Sequence, residues 1–202
     1  MLLNDLLDLS KLESGKIIYD FAENDLNSVV KTVLGETSAI ADTKSIRFKV
    51  DPPINGLSAM FDEGKLIQVV RNLVSNAIRY SDPNTEIRIK ITGDDEKIAL
   101  SVIDQGVGIP EEELEDIFDK FVQSSKTNTH AGGTGLGLPI CRKIINDHKG
   151  VIFARNNKEK GASVTFEIPR QQKQKKKLGE ILVEQKLITH QELMQSLDSQ
   201  DH

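Results

Sequence analysis

The chain has 202 residues, 38% of them hydrophobic and 28% charged, which suffices for one core-bearing domain with small appendages and excludes two large domains. No apolar run is long enough to cross a membrane and the first residues lack the features of a signal peptide, so we expect a cytoplasmic protein, although a longer parent protein can be attached to a membrane. The net charge of −5 argues against a nucleic-acid partner, and the single cysteine, Cys141, allows no internal disulfide.

The first predicted element is an amphipathic helix over residues 1–15. Leu2, Leu6 and Leu9 recur at three- and four-residue steps, and Ser14-Gly15 can end the helix. About four turns of helix are only marginally stable alone, so this stripe must pack on the main domain or on partner helices in a bundle.

A short strand, a second helix and two further strands follow. Residues 17–21 predict the first strand, and Asn24 or Asp25 can cap a helix that ends near Asp42. Residues 46–50 alternate apolar and charged side chains, which predicts a strand with one solvent-exposed face. Residues 57–61 predict a weaker strand.

Asp62 is a candidate N-cap for a long helix that ends near Tyr80. Its polar face carries three carboxamides at four-residue spacing, with a cation near the end of the ridge. These side chains are Gln68, Asn72, Asn76 and Arg79. Neutral amide oxygens can complete a Mg²⁺ shell that is drawn mostly from water and phosphate, but an ordinary solvated helix face has the same composition.

Two strands, residues 87–91 and 98–103, form a predicted hairpin whose second strand ends at Asp104. The following segment, DQGVGIP, places this carboxylate beside two glycines, which allow a flat ligand to approach the backbone. The carboxylate can accept a hydrogen bond from an exocyclic amine. A tight turn in which the aspartate bonds its own backbone explains the segment equally well.

The glycine-rich segment over residues 132–138 precedes a helix in which Pro139 is the predicted first residue. Backbone amides and a helix N-terminus converge there and suit phosphate, although the P-loop and dinucleotide patterns do not fit and a flexible loop without a ligand is the alternative. Residues 111–118 predict a short helix. Strands over 151–154 and 163–168 complete an α+β fold, with helices covering one side of the sheet.

In this order the segments resemble the histidine-kinase branch of the ATPase superfamily that also contains DNA gyrase, the ninety-kilodalton heat-shock chaperone and mismatch-repair ATPases. QVVRNLVSNAIRYS resembles its N box, DQGVGIP and GGTGLGLPI its two glycine boxes, IFDKF its F box and GASVTFEIP its final strand. The resemblance implies a Bergerat-type two-layer α/β sandwich with a mixed, mostly antiparallel sheet.

The resemblance also divides the chain into four parts. Residues 1–15 resemble the end of a dimerisation helix bundle, and residues 16–170 the ATP-binding catalytic domain. Residues 171–177 are a Lys-rich linker. Residues 178–202 predict a small helical module, which is similar to the N-terminal region of type II secretion ATPases and suggests docking to a protein partner. A helical hairpin packed on the core is the alternative.

By position, the resemblance implies that ATP and Mg²⁺ bind between the long helix and a mobile lid over residues 119–135. Asn72 and Asn76 would be catalytic, with Asn76 binding Mg²⁺ and Arg79 near the phosphates. Asp104 would accept from the adenine amino group, with Thr165 beside it. The base would be flanked by Tyr80 and Ile109 and admitted by Gly106 and Gly108. The phosphates would be held by Gly132, Gly133, Thr134, Gly135, Leu136, Gly137 and Leu138.

The implied function is transfer of the ATP γ-phosphoryl group to a histidine on a dimerisation helix missing from this chain, and then to a response regulator. A homodimer is expected only with the complete bundle. Hydrolytic relatives carry a glutamate where Asn72 stands, and a carboxamide is no general base at neutral pH, so we expect slow hydrolysis. The alternatives are a non-catalytic ATP-binding regulatory module and, with less support, a hydrolytic ATPase.

Two features depart from the family pattern. None of the four histidines is followed by an acidic residue and then Thr-Pro or Asn-Pro, so we interpret them as ordinary surface residues; they are His130, His148, His190 and His202. The arginine that many relatives carry shortly after the F box is Gln123 here, and Lys126 is the candidate that replaces it near the γ-phosphate.

Overall fold

Helices and strands alternate along the chain in a computed structural model that describes residues 18–51, 58–125 and 134–171. The elements are β1 (Ala22–Asp25), α1 (Leu26–Thr43), β2 (Arg47–Val50), β3 (Ser58–Phe61), α2 (Glu63–Tyr80), β4 (Glu86–Gly93), β5 (Lys97–Ile103), α3 (Gly137–Asp147), β6 (Val151–Asn156) and β7 (Ala162–Pro169). The predicted N-terminal helix, the linker beyond Gln171 and the C-terminal module lie outside the described residues.

The main sheet has five strands in the order β2-β4-β5-β7-β6. Only β2 and β4 are parallel, and the other neighbours are antiparallel. Strands β1 and β3 form a separate antiparallel pair. The mixed, mostly antiparallel sheet with helices confirms the expected α+β class.

One face of the sheet is buried under the helices. Ile87, Ile89 and Ile91 alternate with exposed or half-buried residues along β4, as expected for a strand with one core-facing side. Every residue of the predicted apolar face of α2 is buried, from Leu66 to Ala77. Within the described residues, no helix is both long and apolar enough to cross a bilayer.

The predicted starts of α1 and α2 are confirmed. The Asp25 carboxylate accepts from the Asn27 amide at 2.9 Å, and the Asp62 carboxylate accepts from the Lys65 amide at 2.9 Å. Each carboxylate satisfies an N–H group that has no partner inside its helix.

Three element predictions are wrong. Residues 18–21 form no strand: the Asp20 amide donates to the Asp62 carboxylate at 3.0 Å, and the rings of Tyr19 and Phe21 pack against His148. Residues 111–118 form two 3₁₀ turns, Glu111–Glu113 and Asp116–Phe118, since few side chains there point inward. Helix α3 begins at Gly137, and Pro139 occupies its first turn, where its missing N–H costs no helical hydrogen bond.

Candidate functional site

A cavity of about 280 Å³ lies between α2, the loop after β5 and the start of α3. Polar groups from all three segments reach it, and strand residues form an apolar floor. The polar lining includes Asn72, Asn76, Arg79, Tyr80, Asp104 and Thr134, and the floor is formed by Val102, Ala162 and Val164. A polar rim over an apolar floor suits a ligand with a flat ring and a charged tail.

The carboxamides of α2 differ in the hydrogen bonds that they make. Asn72 donates to the Gly137 carbonyl at 3.3 Å and contacts the Cys141 sulfur at 3.6 Å, so it ties α2 to the first turn of α3. Asn76 lines the cavity and bonds to no described residue, and the same holds for the Arg79 guanidinium. The Asn76 oxygen is therefore available to a ligand or a metal ion.

The end of α2 is held by a residue that sequence reasoning missed. The Lys44 ammonium donates to the carbonyls of Ile78 and Arg79 at 2.8 Å each and to that of Ser81 at 3.2 Å. A cation at these carbonyls stabilises the last turn of the helix. No local sequence pattern predicts the contact between Lys44 and the end of α2, because Lys44 follows α1 and lies more than 30 residues before its partners.

Asp104 follows β5, and one of its two carboxylate oxygens accepts hydrogen bonds from the protein. Its Oδ1 accepts from the Gly106 amide at 2.8 Å and from the Ala162 amide at 3.1 Å, while Oδ2 bonds to no described residue. Burial raises the pKa of Asp104, and the two amide hydrogen bonds act in the opposite direction. The carboxylate thus bonds the backbone of its own turn, as the tight-turn explanation of the sequence expects, and the acceptor role of its second oxygen toward a ligand stays a prediction.

The two glycines of this loop, Gly106 and Gly108, differ in their surroundings. A Cβ on Gly106 would lie 2.3 Å from the Tyr80 carbonyl oxygen, and Gly106 does not line the cavity. The absence of a side chain at Gly106 therefore lets the loop pack against the end of α2, and the expectation that this glycine admits the base stays a prediction. Gly108 does line the cavity, with a φ of +70°. Ile109 and Tyr80 line it as well.

The predicted position of Thr165 is wrong. It pairs with Ser101 in the sheet, and the two hydroxyls lie 2.8 Å apart. Strand alternation directs Thr165 away from the cavity and directs Ala162 and Val164 toward it, and Ala162 is the residue that bonds Asp104. The sequence places Thr165 near the end of β5, but only the register shows that it is displaced along the strand.

The glycine-rich segment is described from Thr134 onward, so Gly132, Gly133 and Lys126 lie outside the described residues. Thr134, Gly135, Gly137 and Leu138 line the cavity. Leu136 is an exception, because its side chain is fully buried and its amide donates to the Thr134 hydroxyl at 3.3 Å. Residues at the start of α3 thus line the cavity, and the binding of an anion by their backbone amides stays a prediction.

His148 is not a surface residue. It is fully buried at the end of α3, with Nδ1 at 2.8 Å from the Ile144 carbonyl and Nε2 accepting from the Asp62 amide at 3.1 Å. Burial lowers its pKa, so the neutral form predominates. His130, His190 and His202 lie outside the described residues.

Residues 61–172 match the sequence model of the family of histidine kinase-, DNA gyrase B-, and HSP90-like ATPases. The sensor-like histidine kinase SenX3 of Mycolicibacterium smegmatis is 32% identical to the chain over 169 residues, which cover 83% of the chain and 44% of SenX3. The chain therefore spans less than half the length of this curated relative.

Solved structures agree with these sequence matches. The catalytic domain of histidine kinase ThkA is similar, with a TM-score of 0.66 and 37% identity over 75% of this chain and 97% of that domain. Full-length ShkA, solved in complex with AMPPNP, has a TM-score of 0.71 and 27% identity over 83% of this chain and 35% of ShkA. ThkA has also been solved in complex with the response regulator protein TrrA.

Proposed function

The chain belongs to the histidine kinase-, DNA gyrase B-, and HSP90-like ATPase family and carries a catalytic domain of the histidine-kinase type, and from this premise we propose that it binds Mg·ATP and transfers the γ-phosphoryl group to a histidine on a dimerisation helix. The observation that carries the proposal is one cavity that is lined by Asp104, by Asn76 on the polar ridge of α2 and by the residues at the start of α3.

The adenine ring fits the Asp104 end of the cavity. Adenine presents an exocyclic amine, and the open oxygen of Asp104 accepts it. Ile109 and Tyr80 offer apolar surface to the ring, and Gly108 leaves room for it beside the backbone. The other end of the cavity, at Thr134, Gly135, Gly137 and Leu138, takes the phosphates, together with Gly132 and Gly133.

Asn76 is the residue that would hold Mg²⁺. Its side chain lines the cavity and bonds to no described residue, whereas among the described residues no three His, Cys, Asp or Glu side chains converge. One amide oxygen suffices for Mg²⁺, because this ion commonly takes its other ligands from water and substrate phosphates. The ion would supply charge neutralisation on the phosphates, to which Arg79 and Lys126 add positive charge.

In the proposed reaction a histidine nitrogen forms a bond to the γ-phosphorus while the bond to the bridging oxygen breaks and ADP leaves. Positioning and charge neutralisation supply most of the catalysis in such transfers. Asn72 cannot activate water as a carboxylate does, and it is already bonded to Gly137, so hydrolysis stays slow.

The acceptor and the partners extend beyond this chain. None of its histidines carries the phosphoacceptor pattern, and His148 is buried with both ring nitrogens engaged, so the acceptor is a histidine of a dimerisation helix bundle. A response regulator then takes the phosphoryl group, as the solved pairing of ThkA with TrrA suggests. Homodimerisation belongs to the complete bundle.

The missing acceptor also favours a second candidate function. A nucleotide-binding regulator that binds ATP and signals without transfer needs the same cavity but no histidine. The proposed docking role of residues 178–202 is compatible with both functions. It is tested by deleting residues 171–202: a large loss of stability in the ATP-binding domain indicates packing on the core in place of docking to a partner.

Calorimetric titration with Mg·ATP tests the binding step. We expect wild-type protein to bind ATP and return it uncleaved, and Asp104→Asn to bind it at least about tenfold more weakly, because an amide nitrogen or a neutral oxygen replaces the charged acceptor. Asp51→Asn is the matched control. Asp51 follows the edge strand β2, and its carboxylate accepts a hydrogen bond from Arg88 of β4. No binding by the wild-type chain would contradict the proposal.

Addition of a dimerisation helix bundle in trans tests the transfer step. A kinase leaves acid-labile phosphate on the bundle histidine, and a regulator leaves none. Substantial phosphate release by the chain alone, retained after Asn76→Ala, would identify neither activity and would indicate a hydrolytic contaminant or a different site.

A further inference from the structure

Two adjacent asparagines, Asn156 and Asn157, hold both ends of the loop from Asp104 to Ile109. Neither lines the cavity, and both are half-buried at the turn between β6 and β7. The Asn157 amide donates to the Asp104 carbonyl at 2.8 Å. The Asn156 side chain accepts from the Ile109 amide at 2.9 Å and donates to the Ile109 carbonyl at 2.6 Å.

The two hydrogen bonds between the Asn156 side chain and the Ile109 backbone resemble those between neighbouring β-strands. A carboxamide carries the same donor and acceptor as a peptide group, so Asn156 satisfies both backbone groups of Ile109, as a neighbouring strand would. A carboxylate at this position can only accept, and a hydroxyl is too short to reach both groups. The same amide also reaches the Glu111 carboxylate at 3.1 Å.

Few other bonds hold the backbone of this loop. The ladder of β5 and β7 reaches Asp104, whose amide donates to the Ala162 carbonyl at 2.9 Å, and Asp104 itself bonds the Gly106 amide. Beyond Gly106 the described hydrogen bonds that anchor the loop come from Asn156. The position of Ile109 relative to Asp104 therefore depends on the two asparagines.

We propose that Asn156 and Asn157 are positioning residues that fix the adenine-binding loop and thereby set the preference of this site for adenine. They act through the carbonyl of Asp104, whose carboxylate would meet the adenine amine, and through the backbone of Ile109, whose side chain would contact the ring. The proposal rests on the proposed function, because it assigns the specificity of that same nucleotide site. Guanine presents a carbonyl oxygen where adenine presents its amine. A correctly positioned Asp104 carboxylate therefore accepts a hydrogen bond from the adenine amine and repels the guanine oxygen.

The test compares the affinities of the complete chain for Mg·ATP and Mg·GTP by calorimetry. Asn156→Leu and Asn157→Leu remove the amides at nearly constant volume and without adding charge. Asn24→Leu is the matched control, because the Asn24 amide donates to the Phe61 carbonyl at 2.8 Å in the separate β1–β3 pair. We expect each loop variant to lose about tenfold in ATP affinity and part of its preference over GTP, and the control to lose neither.

Thermal unfolding without nucleotide separates positioning from stability. A purely structural role lowers the melting temperature but leaves the ratio of ATP to GTP affinity at the wild-type value, and this result overturns the proposal. Unchanged ATP affinity in folded variants overturns it as well. If a leucine variant does not fold, the alanine variant at the same position, which also removes the amide without adding charge, replaces it with the same expectation. Wild-type protein that binds neither nucleotide refutes the proposed function itself.

Discussion

The carbonyl oxygen of Asp104 lies 2.2 Å from the point where a Cβ on Gly161 would stand. This oxygen also accepts the Asn157 amide, so the backbone of the loop and the turn before β7 are in direct contact. Gly161 has a φ of +84°, which L side chains rarely adopt. Gly161, which lies 57 positions after Asp104 in the chain, thus affects the position of the Asp104 carboxylate.

Gly161→Ala is expected to reduce both stability and ATP affinity. The methyl group must displace Asp104 and occupy a strained backbone conformation, which together cost about 2 kcal/mol or more in free energy of unfolding. Gly35→Ala is the control, because Gly35 lies in α1 with nothing within 4 Å of its added Cβ. This control should gain about 0.5–1 kcal/mol by its better helix propensity. Urea unfolding and ATP titration measure both, and equal behaviour of the two variants would contradict the steric argument.

Asn76→Ala is expected to remove most of the Mg²⁺ dependence of ATP affinity. The wild-type protein should bind ATP more tightly as Mg²⁺ is added, if the Asn76 oxygen ligates the ion together with the phosphates as proposed. In the variant the two titrations, with Mg²⁺ and with EDTA, should differ by less than in the wild type. Asn76→Asp restores an oxygen ligand and should restore the dependence. An unaltered Mg²⁺ response in Asn76→Ala would remove Asn76 from the metal site.

Lys44→Met is expected to destabilise the end of α2. The substitution leaves the carbonyls of Ile78, Arg79 and Ser81 without their shared donor, at a cost of about 1–3 kcal/mol. Because Arg79 and Tyr80 lie in this turn, ATP affinity should fall as well. Lys31→Met, at an exposed position of α1, is the control. Denaturant unfolding checks the stability, and a variant as stable as the control would show that water replaces the ammonium at no cost.

His148 is expected to make the stability fall in mild acid. Its pKa is lowered by burial from 6.5, and the nearby carboxylates of Asp62 and Asp147 only partly oppose this effect. The unfolded chain therefore binds a proton on this histidine at a higher pH than the folded chain. The stability due to neutral His148 is complete above pH 6.5 and is lost as the pH falls toward the lowered pKa. The free energy of unfolding then decreases by at most about 1.4 kcal/mol for each pH unit in this window.

Urea unfolding between pH 5 and about pH 8 checks this dependence. His148→Gln should be less stable than wild type at neutral pH, because it loses ring packing against Tyr19 and Phe21, but its stability should depend less on pH in this range. The difference between the two curves cancels the contributions of the other three histidines. Parallel curves would show that His148 does not cause the acid-side loss.

Local sequence patterns predicted much of the fold. The caps at Asp25 and Asp62, the buried face of α2 and the β4–β5 hairpin follow from capping chemistry and from periods of 3.6 and 2. These features depend on residues a few positions apart, which a sequence shows directly. The errors at residues 18–21 and 111–118 arose where tertiary contacts or a lack of inward-facing side chains overrode a short pattern.

Sequence motifs also identified several polar residues and glycines that line the cavity, because Asn72, Asn76, Asp104 and Gly108 lie in short, ordered segments. The error at Thr165 concerns the register between two strands. Thr165 was misplaced because strand alternation and register decide which side chain faces Asp104. The close approach of Gly106 to the Tyr80 carbonyl was not predicted, because the two residues belong to different elements.

Local spacing along the chain therefore encodes the types of most elements, the family and the chemical groups available for binding a nucleotide. Which groups hold the others in place emerged from the folded arrangement alone. Lys44 at the end of α2, Asn156 at Ile109 and His148 at Asp62 each join segments at least 34 residues apart. A single hydrogen bond between such distant residues leaves no periodicity in the chain, so its partner becomes known only when the fold brings the two together.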